Sequence, residues 1–351
     1  MSETVVLGNV TITRVEEWQG PFAPPEVLIP GTEAATWQEN RSWLSPDHWE
    51  AEANLMRACV QTWVLKSEGR TILVDTGVGN GKARPHMQEF DHLDLPFLAS
   101  LDAAGVKPAD VDMVICTHAH IDHVGWNTQL EEGEWHPTFP NAEYVFSRAD
   151  IEFWNPENDY ERRGQAVNEN VFEDSVAPVL EAGLGVLWED SRVVDGNLRI
   201  DLAAGHTPGM GAITLRSGSD LAVFVGDLAH SPVQVLEPEL NSCFCEDERA
   251  AVRTRRRLLS WAADNHALVL PGHFCGGHAV EVARDADKFK ITGWGGFSGQ
   301  CARAQRAGSA GLTLPRIPRR AARRTEPGPP AGEWAGARWA PRPPAARNHG
   351  G

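Results

Sequence analysis

The chain predicts an α/β architecture in which both faces of the sheet are covered. Three observations carry that reading. Runs rich in Val, Ile, Leu and Thr alternate with polar residues over 4–18 and 58–75. Later apolar runs at 108–117, 142–146 and 221–225 are separated by segments with helical spacing. The residues able to carry chemistry stand where those runs end, as they do when a site is assembled on one rim of a sheet. Residues 1–296 suffice for one large domain with a sizeable core.

From the N-terminus, residues 4–18 and 58–75 read as strands of a meander, with a turn at Glu68-Gly69-Arg70. Between them, residues 19–57 hold Pro21, Pro24, Pro25, Pro30 and Pro46. They read as a long loop with a short helix, a candidate lid. Leu95, Leu98 and Leu101 have helical spacing ended by Gly105, which predicts a helix over 94–105. Residues 108–117 and 142–146 read as strands, 149–154 and 168–182 as helices. Residues 192–202, 213–216 and 221–225 are expected strands. A charged amphipathic helix is expected over 247–264, its Arg253–Arg257 run a solvated face, and a last strand over 289–294.

After Gly296 the composition changes. Residues 297–351 carry ten Arg, eight Pro, no Lys and no periodic apolar face. Such a segment cannot bury enough surface to offset its ordering entropy. It is expected to be disordered or a non-native end, with a basic interaction arm as the functional alternative.

The chemistry concentrates in residues 117–125, Thr-His-Ala-His-Ile-Asp-His-Val-Gly. His118, His120, Asp122 and His123 put three imidazoles and a carboxylate within six residues. Imidazole and carboxylate are the ligands zinc takes where no thiolate is offered. Two metals are served at once if His118 and His120 turn to one side and Asp122 and His123 to the other. Three more candidates follow: His206 in Gly-His-Thr-Pro-Gly, Asp227 in Val-Gly-Asp-Leu and His273 in Leu-Pro-Gly-His-Phe. Each comes after a short apolar or turn segment, so each belongs at or just beyond a strand end.

With Val-Asp-Thr-Gly at 74–77, these motifs make residues 5–294 resemble the metallo-β-lactamase-fold hydrolase superfamily. The resemblance implies a four-layer αβ/βα sandwich and a hydrolase domain over 1–296. It implies His118, His120 and His206 on one metal, Asp122, His123 and His273 on the other, and Asp227 bridging. Asp75 would orient a ligating imidazole from behind, or else cap a turn. The long interval from His123 to His206 and the stretch Gly125-Trp126-Asn127-Thr128 look like the branch containing methyl parathion hydrolase and the quorum-quenching lactonases. In such lactonases a Tyr stands three residues after the bridging Asp, where this chain has His230. His230 could donate a hydrogen bond to a developing oxyanion, or be a solvated residue beside Ser231-Pro232.

The implied mechanism uses two divalent ions, most naturally Zn2+, about 3.5 Å apart around a bridging hydroxide. The hydroxide attacks an ester, lactone or phosphotriester, and Asp122 moves the proton to the leaving group. Two other readings are a β-lactamase-like amidase and a mononuclear-iron sulfur (persulfide) dioxygenase. Zn, Fe, Mn and Co all suit such ligands.

Charge narrows the substrate. The net charge is −16, but residues 297–351 are +8, which leaves −24 on residues 1–296. That argues against phosphate-backbone binding and for a small-molecule substrate. Six Cys without a C-x-x-C pair make a disulfide framework unlooked for. Cys243-Phe244-Cys245 read as loop cysteines. Met-Ser-Glu-Thr-Val-Val-Leu-Gly has no basic or long apolar stretch, so neither a signal peptide nor a membrane span is expected, and the location expected is cytoplasmic. Thirteen Trp and the Arg-rich helix leave a homodimer open.

Overall fold

Alternation along the first strands builds a sheet with two apolar faces. The computed structural model describes residues 3–297. Strand β1 (Glu3–Leu7) turns directly into β2 (Val10–Pro21), with Leu7 opposite Val10. Three short helices follow, α1 (Pro25–Leu28), α2 (Ala34–Glu39) and α3 (Arg41–Leu44), then β3 (Trp49–Glu50). β4 (Leu55–Ser67) runs antiparallel to β2 and to β5 (Arg70–Val74). After α4 (Phe97–Ala103), β6 (Met113–Ile115) lies parallel to β5. A separate hairpin of β7 (Thr128–Glu131) and β8 (Glu134–Pro137) precedes β9 (Glu143–Ser147), which is parallel to β6. Helices α5 (Arg148–Trp154) and α6 (Ala177–Glu181) lead to β10 (Gly185–Trp188), parallel to β9.

The second sheet follows in strict chain order: β11 (Ser191–Val193), β12 (Leu198–Leu202), β13 (Gly211–Ser217), β14 (Asp220–Gly226), β15 (Leu268–Pro271), β16 (Val280–Asp285) and β17 (Lys288–Trp294). Helices α7 (Val233–Leu236) and α8 (Glu248–Asn265) interrupt it between β14 and β15, and that crossover makes β14 and β15 parallel.

Because successive strand residues face opposite ways, each sheet feeds two cores. Trp63, Leu65, Ile72, Val74, Ile115 and Val145 of the first sheet meet Ile200, Ile213, Leu215, Phe224 and Leu270 of the second. The intervening Val60, Val64, Leu73, Val114, Tyr144 and Phe146 pack outward under α4 and α5. Val223, Val225 and Val269 pack outward under α8 through Leu258, Leu259 and Ala262. The layers are thus helix, sheet, sheet, helix, the αβ/βα sandwich expected. Among the described residues no helix is long and apolar enough to cross a membrane.

Differences from the sequence reading are local. The strand expected over 192–202 is two strands, β11 and β12, because Asp195 caps a turn by accepting from the backbone of Asn197 and Leu198 at 2.8 Å. The helix expected over 168–182 opens with one π-helical turn, Phe172–Val176, before α6. Residues 19–57 are more structured than one short helix. Leu28, Ile29, Trp37, Leu44, Trp49 and Met56 form their own core against Val233 of α7. The tail expected over 297–351 lies outside the described residues except for Phe297. That residue is fully buried against Trp63, with ring centroids 5.0 Å apart.

Candidate metal centre

The strand order gathers the candidate residues at one rim. β5, β6 and β9 are parallel neighbours, and past their C-terminal ends come Asp75, residues 116–123 and Asp150. β14 and β15 are parallel neighbours in the facing sheet, followed by Asp227 and by His273. The C-terminal edge of parallel strands is where α/β folds place their sites.

All seven ligand candidates converge. His118, His120, His206 and Asp227 form one group whose candidate ligand atoms lie within 4.8 Å of one another, and Asp122, His123 and His273 form another. Asp227 faces both. Its Oδ2 is 3.2 Å from His206 Nε2 and 3.7 Å from His118 Nε2. Its Oδ1 is 2.9 Å from His273 Nε2 and 3.1 Å from His123 Nε2. Asp122 approaches the second group, 3.4 Å from His273 and 3.5 Å from His123.

The far nitrogens of these rings are held from behind, and that fixes their tautomers. His273 Nδ1 lies 2.9 Å from the Cys59 carbonyl, which can only accept, so Nδ1 carries the proton. His123 Nδ1 donates to Asp75 Oδ2 at 2.9 Å. Thr117 gives its hydroxyl proton to Asp75 at 2.9 Å, so its oxygen accepts from His118 Nδ1 at 3.1 Å. Cys245 Sγ sits 3.7 Å behind His206 Nδ1. In each assigned ring Nε2 is the nitrogen turned to the centre, the one a metal would take in exchange for any proton it carries.

Asp75 earns this position at a cost in backbone strain. Its φ is +59°, a left-handed conformation uncommon for a residue with a Cβ. The next turn demands glycine outright: a Cβ on Gly77 would stand 2.0 Å from Glu17 Oε2. Buried Glu17 accepts from Val78 N at 2.6 Å, Gly79 N at 3.0 Å and Trp126 Nε1 at 2.6 Å, tying this loop to β2.

The electrostatics centre on Asp227. Burial works against its charge, but the surrounding imidazoles, His273 and His123 foremost, hold it well below the usual carboxylate range. Burial together with neighbouring imidazoles pushes His118 and His120 well below the usual histidine range. At His206 and His273 burial is outweighed by Asp227, which takes them up to about 10 and about 9.

The donor set fits divalent cations. Nε2 of His118, Nε2 of His123 and Oδ1 of Asp227 are buried with no hydrogen-bond partner. Leaving such atoms unsatisfied costs about 1–3 kcal/mol each, and cations held by the two groups would satisfy them.

His230 is buried, 6% exposed, so the solvated alternative does not hold. Its Nε2 lies 3.2 Å from Asp227 Oδ2. Burial pushes it down to about 4, so the ring is neutral and the proton facing the carboxylate is on Nε2. In this arrangement its donor is engaged by Asp227.

Two residues bearing on the site carried no signal in the sequence reading. Asp150 and Asn168 both hold the backbone of Ala119, between the first two histidines. Asp150 falls in the first turn of a helix, where acidic residues are ordinary, and Asn168 lies in a stretch without a motif.

A pocket opens beside the centre. Phe22 and Leu28 wall it from the N-terminal segment, Ala58 and Val60 from β4, and Met87, Phe90, Val167 and Phe244 from loops. Asp122, Asp227, His120, His230 and His273 also line it, and among the described residues neither Lys nor Arg does.

The likenesses to known proteins agree with this geometry. Residues 60–273 match the family described as the metallo-beta-lactamase superfamily. An N-acyl homoserine lactonase of Bacillus cereus is 23% identical over 235 residues, 63% of this chain and 83% of that protein. Ribonuclease TTHA0252 of Thermus thermophilus is 29% identical over 196 residues, half of this chain and 37% of that protein. Among solved structures, AidC, a dizinc quorum-quenching lactonase in complex with a product, superposes with a TM-score of 0.67 at 21% identity. The match covers 83% of this chain and 96% of AidC. The family match spans more than half of the sequence and includes every one of the converging residues, and so this chain belongs to the metallo-β-lactamase superfamily of hydrolases.

Proposed function

We propose that this chain is a dinuclear, zinc-dependent hydrolase that cleaves an ester, lactone or phosphotriester bond in a small, uncharged, largely apolar molecule. The observation that carries the proposal is Asp227. Its two oxygens face two separate histidine groups, and the far nitrogens of His118, His123 and His273 are already engaged.

His118, His120 and His206 would hold one ion, Asp122, His123 and His273 the other, and Asp227 would span both. Two divalent ions so held supply Lewis acidity at the scissile bond and a nucleophilic water at neutral pH. The protein's own groups do the rest. Asp122 lines the cavity with a side chain 13% exposed, more open than the histidines around it. It would take a proton from the attacking water and return it to the leaving group. His230 donates to Asp227 and steadies it; donation to a substrate oxygen requires that ring to turn.

Among the described residues the apolar walls carry no Lys or Arg to anchor a polyanion, which fits the −24 balance of residues 1–296. The cavity suits a neutral acyl or aryl group, desolvated as it enters. The likeness to an N-acyl homoserine lactonase puts an acyl lactone first among substrates to try.

The test is a hydrolysis panel: an aryl ester, acyl lactones of increasing chain length and an aryl phosphotriester, with single-stranded RNA as the opposing substrate. The proposal expects turnover of at least one neutral substrate, with KM falling as the tail lengthens. Cleavage of RNA with none of the neutral substrates would contradict it.

A further inference from the structure

His120 and His206 are 86 residues apart in sequence, yet His206 Nε2 approaches His120 Nδ1 to 2.9 Å. The two loops are tied through their backbones as well as through these rings. Behind the two loops lies Asp150, 1% exposed, in the first turn of α5. Its Oδ2 accepts from Ala119 N at 2.9 Å, between His118 and His120. The same oxygen accepts from Thr207 Oγ1 at 3.0 Å, and Oδ1 accepts from Gly209 N at 2.6 Å, both just beyond His206. One carboxylate therefore links two ligand loops.

Asn168 closes the grip. Its Nδ2 donates to the Ala119 carbonyl at 3.0 Å, so the residue between the two histidines is held through both its N–H and its carbonyl. Gly209 is the concession that lets the second loop come close: a Cβ there would stand 2.5 Å from Asp150 N and from Ser147 Oγ.

We propose that Asp150 is a positioning residue that sets the geometry of the His118, His120 and His206 group, as Asp75 does for His123. This rests on the metal-centre reading above. Asp150 touches no reacting atom and acts through the backbone it holds. Partners of this kind, displaced from the ligands themselves, are worth about 10- to 100-fold in metal affinity. Asp150 holds only backbone beside the first group, so its loss predicts an effect on that group alone.

The experiment is calorimetric titration of metal-free full-length protein with zinc. Asp150→Asn keeps the shape but points an amide N–H at backbone N–H groups. It should weaken one of two zinc-binding events by about 10- to 100-fold and leave the other unchanged. Thr207→Val removes a single hydrogen bond and should weaken the same event by less, which keeps the test open if Asp150→Asn does not fold. In a His273→Ala background, which leaves the first group intact, the Asp150→Asn loss should persist. In a His120→Ala background it should vanish. Equal weakening of both events, or none, in variants that keep the wild-type melting transition would overturn the role of Asp150. A wild-type protein that takes up no zinc would instead overturn the metal reading beneath it.

Discussion

Asp75 Oδ2 accepts a hydrogen bond from His123 Nδ1 at 2.9 Å, and the same carboxylate accepts from the backbone and hydroxyl of Thr117 at 2.7 and 2.9 Å. One residue thus orients His123 directly and His118 through Thr117. Asp75→Asn should lower metal affinity by about 10- to 100-fold, read as metal retained per chain after dialysis against graded chelator. Unchanged retention would make Asp75 a turn residue only.

Glu17 gives a pH dependence of stability. Burial raises it from 4.5 to about 7, against the three hydrogen bonds it accepts. The folded state therefore binds the proton more tightly than the unfolded chain. The stability this contributes is fully present below pH 4.5 and is lost as pH rises through about 7. The shift corresponds to about 3 kcal/mol at most. Urea melts of the wild type and Glu17→Gln at pH 5 and pH 8 should show the wild type losing stability relative to the variant at the higher pH. A constant difference would refute this.

Gly209→Ala should destabilise the protein by about 1–3 kcal/mol, since its Cβ meets backbone and a short side chain that cannot step aside. Denaturant melts measure this directly, and a wild-type midpoint would show that the loop yields.

Ala58 lies on β4 and lines the cavity. Ala58→Phe should raise KM for a long-tailed substrate on the order of 10-fold while a short-tailed one changes little, with metal content unchanged. Equal effects on both would place the substrate tail elsewhere.

The candidate ligands were legible because a ligand must supply its own side-chain chemistry, so His118, His120, Asp122, His123, His206, Asp227 and His273 stand out by type and by position after apolar runs. The strands feeding two cores were legible for a similar reason, since alternation at 58–75 is imposed by having two faces to bury. Residues acting through the backbone left no such mark. Asp150 resembles any acid in a first helical turn, and its role appears only when β9 is set beside β6. The hairpin of β11 and β12 was missed because its flanks are apolar enough to read through the Asp195-Gly196 turn. β16 was missed because its exposed residues Glu281, Arg284 and Asp285 break the pattern.

Elemental analysis of the freshly purified protein, coupled to turnover before and after chelation, tests the central claim most directly. The account predicts two divalent metals per chain, zinc foremost, with hydrolysis lost on chelation and restored by zinc. One iron per chain with no hydrolysis would contradict it and favour a mononuclear oxygenase chemistry at the same residues.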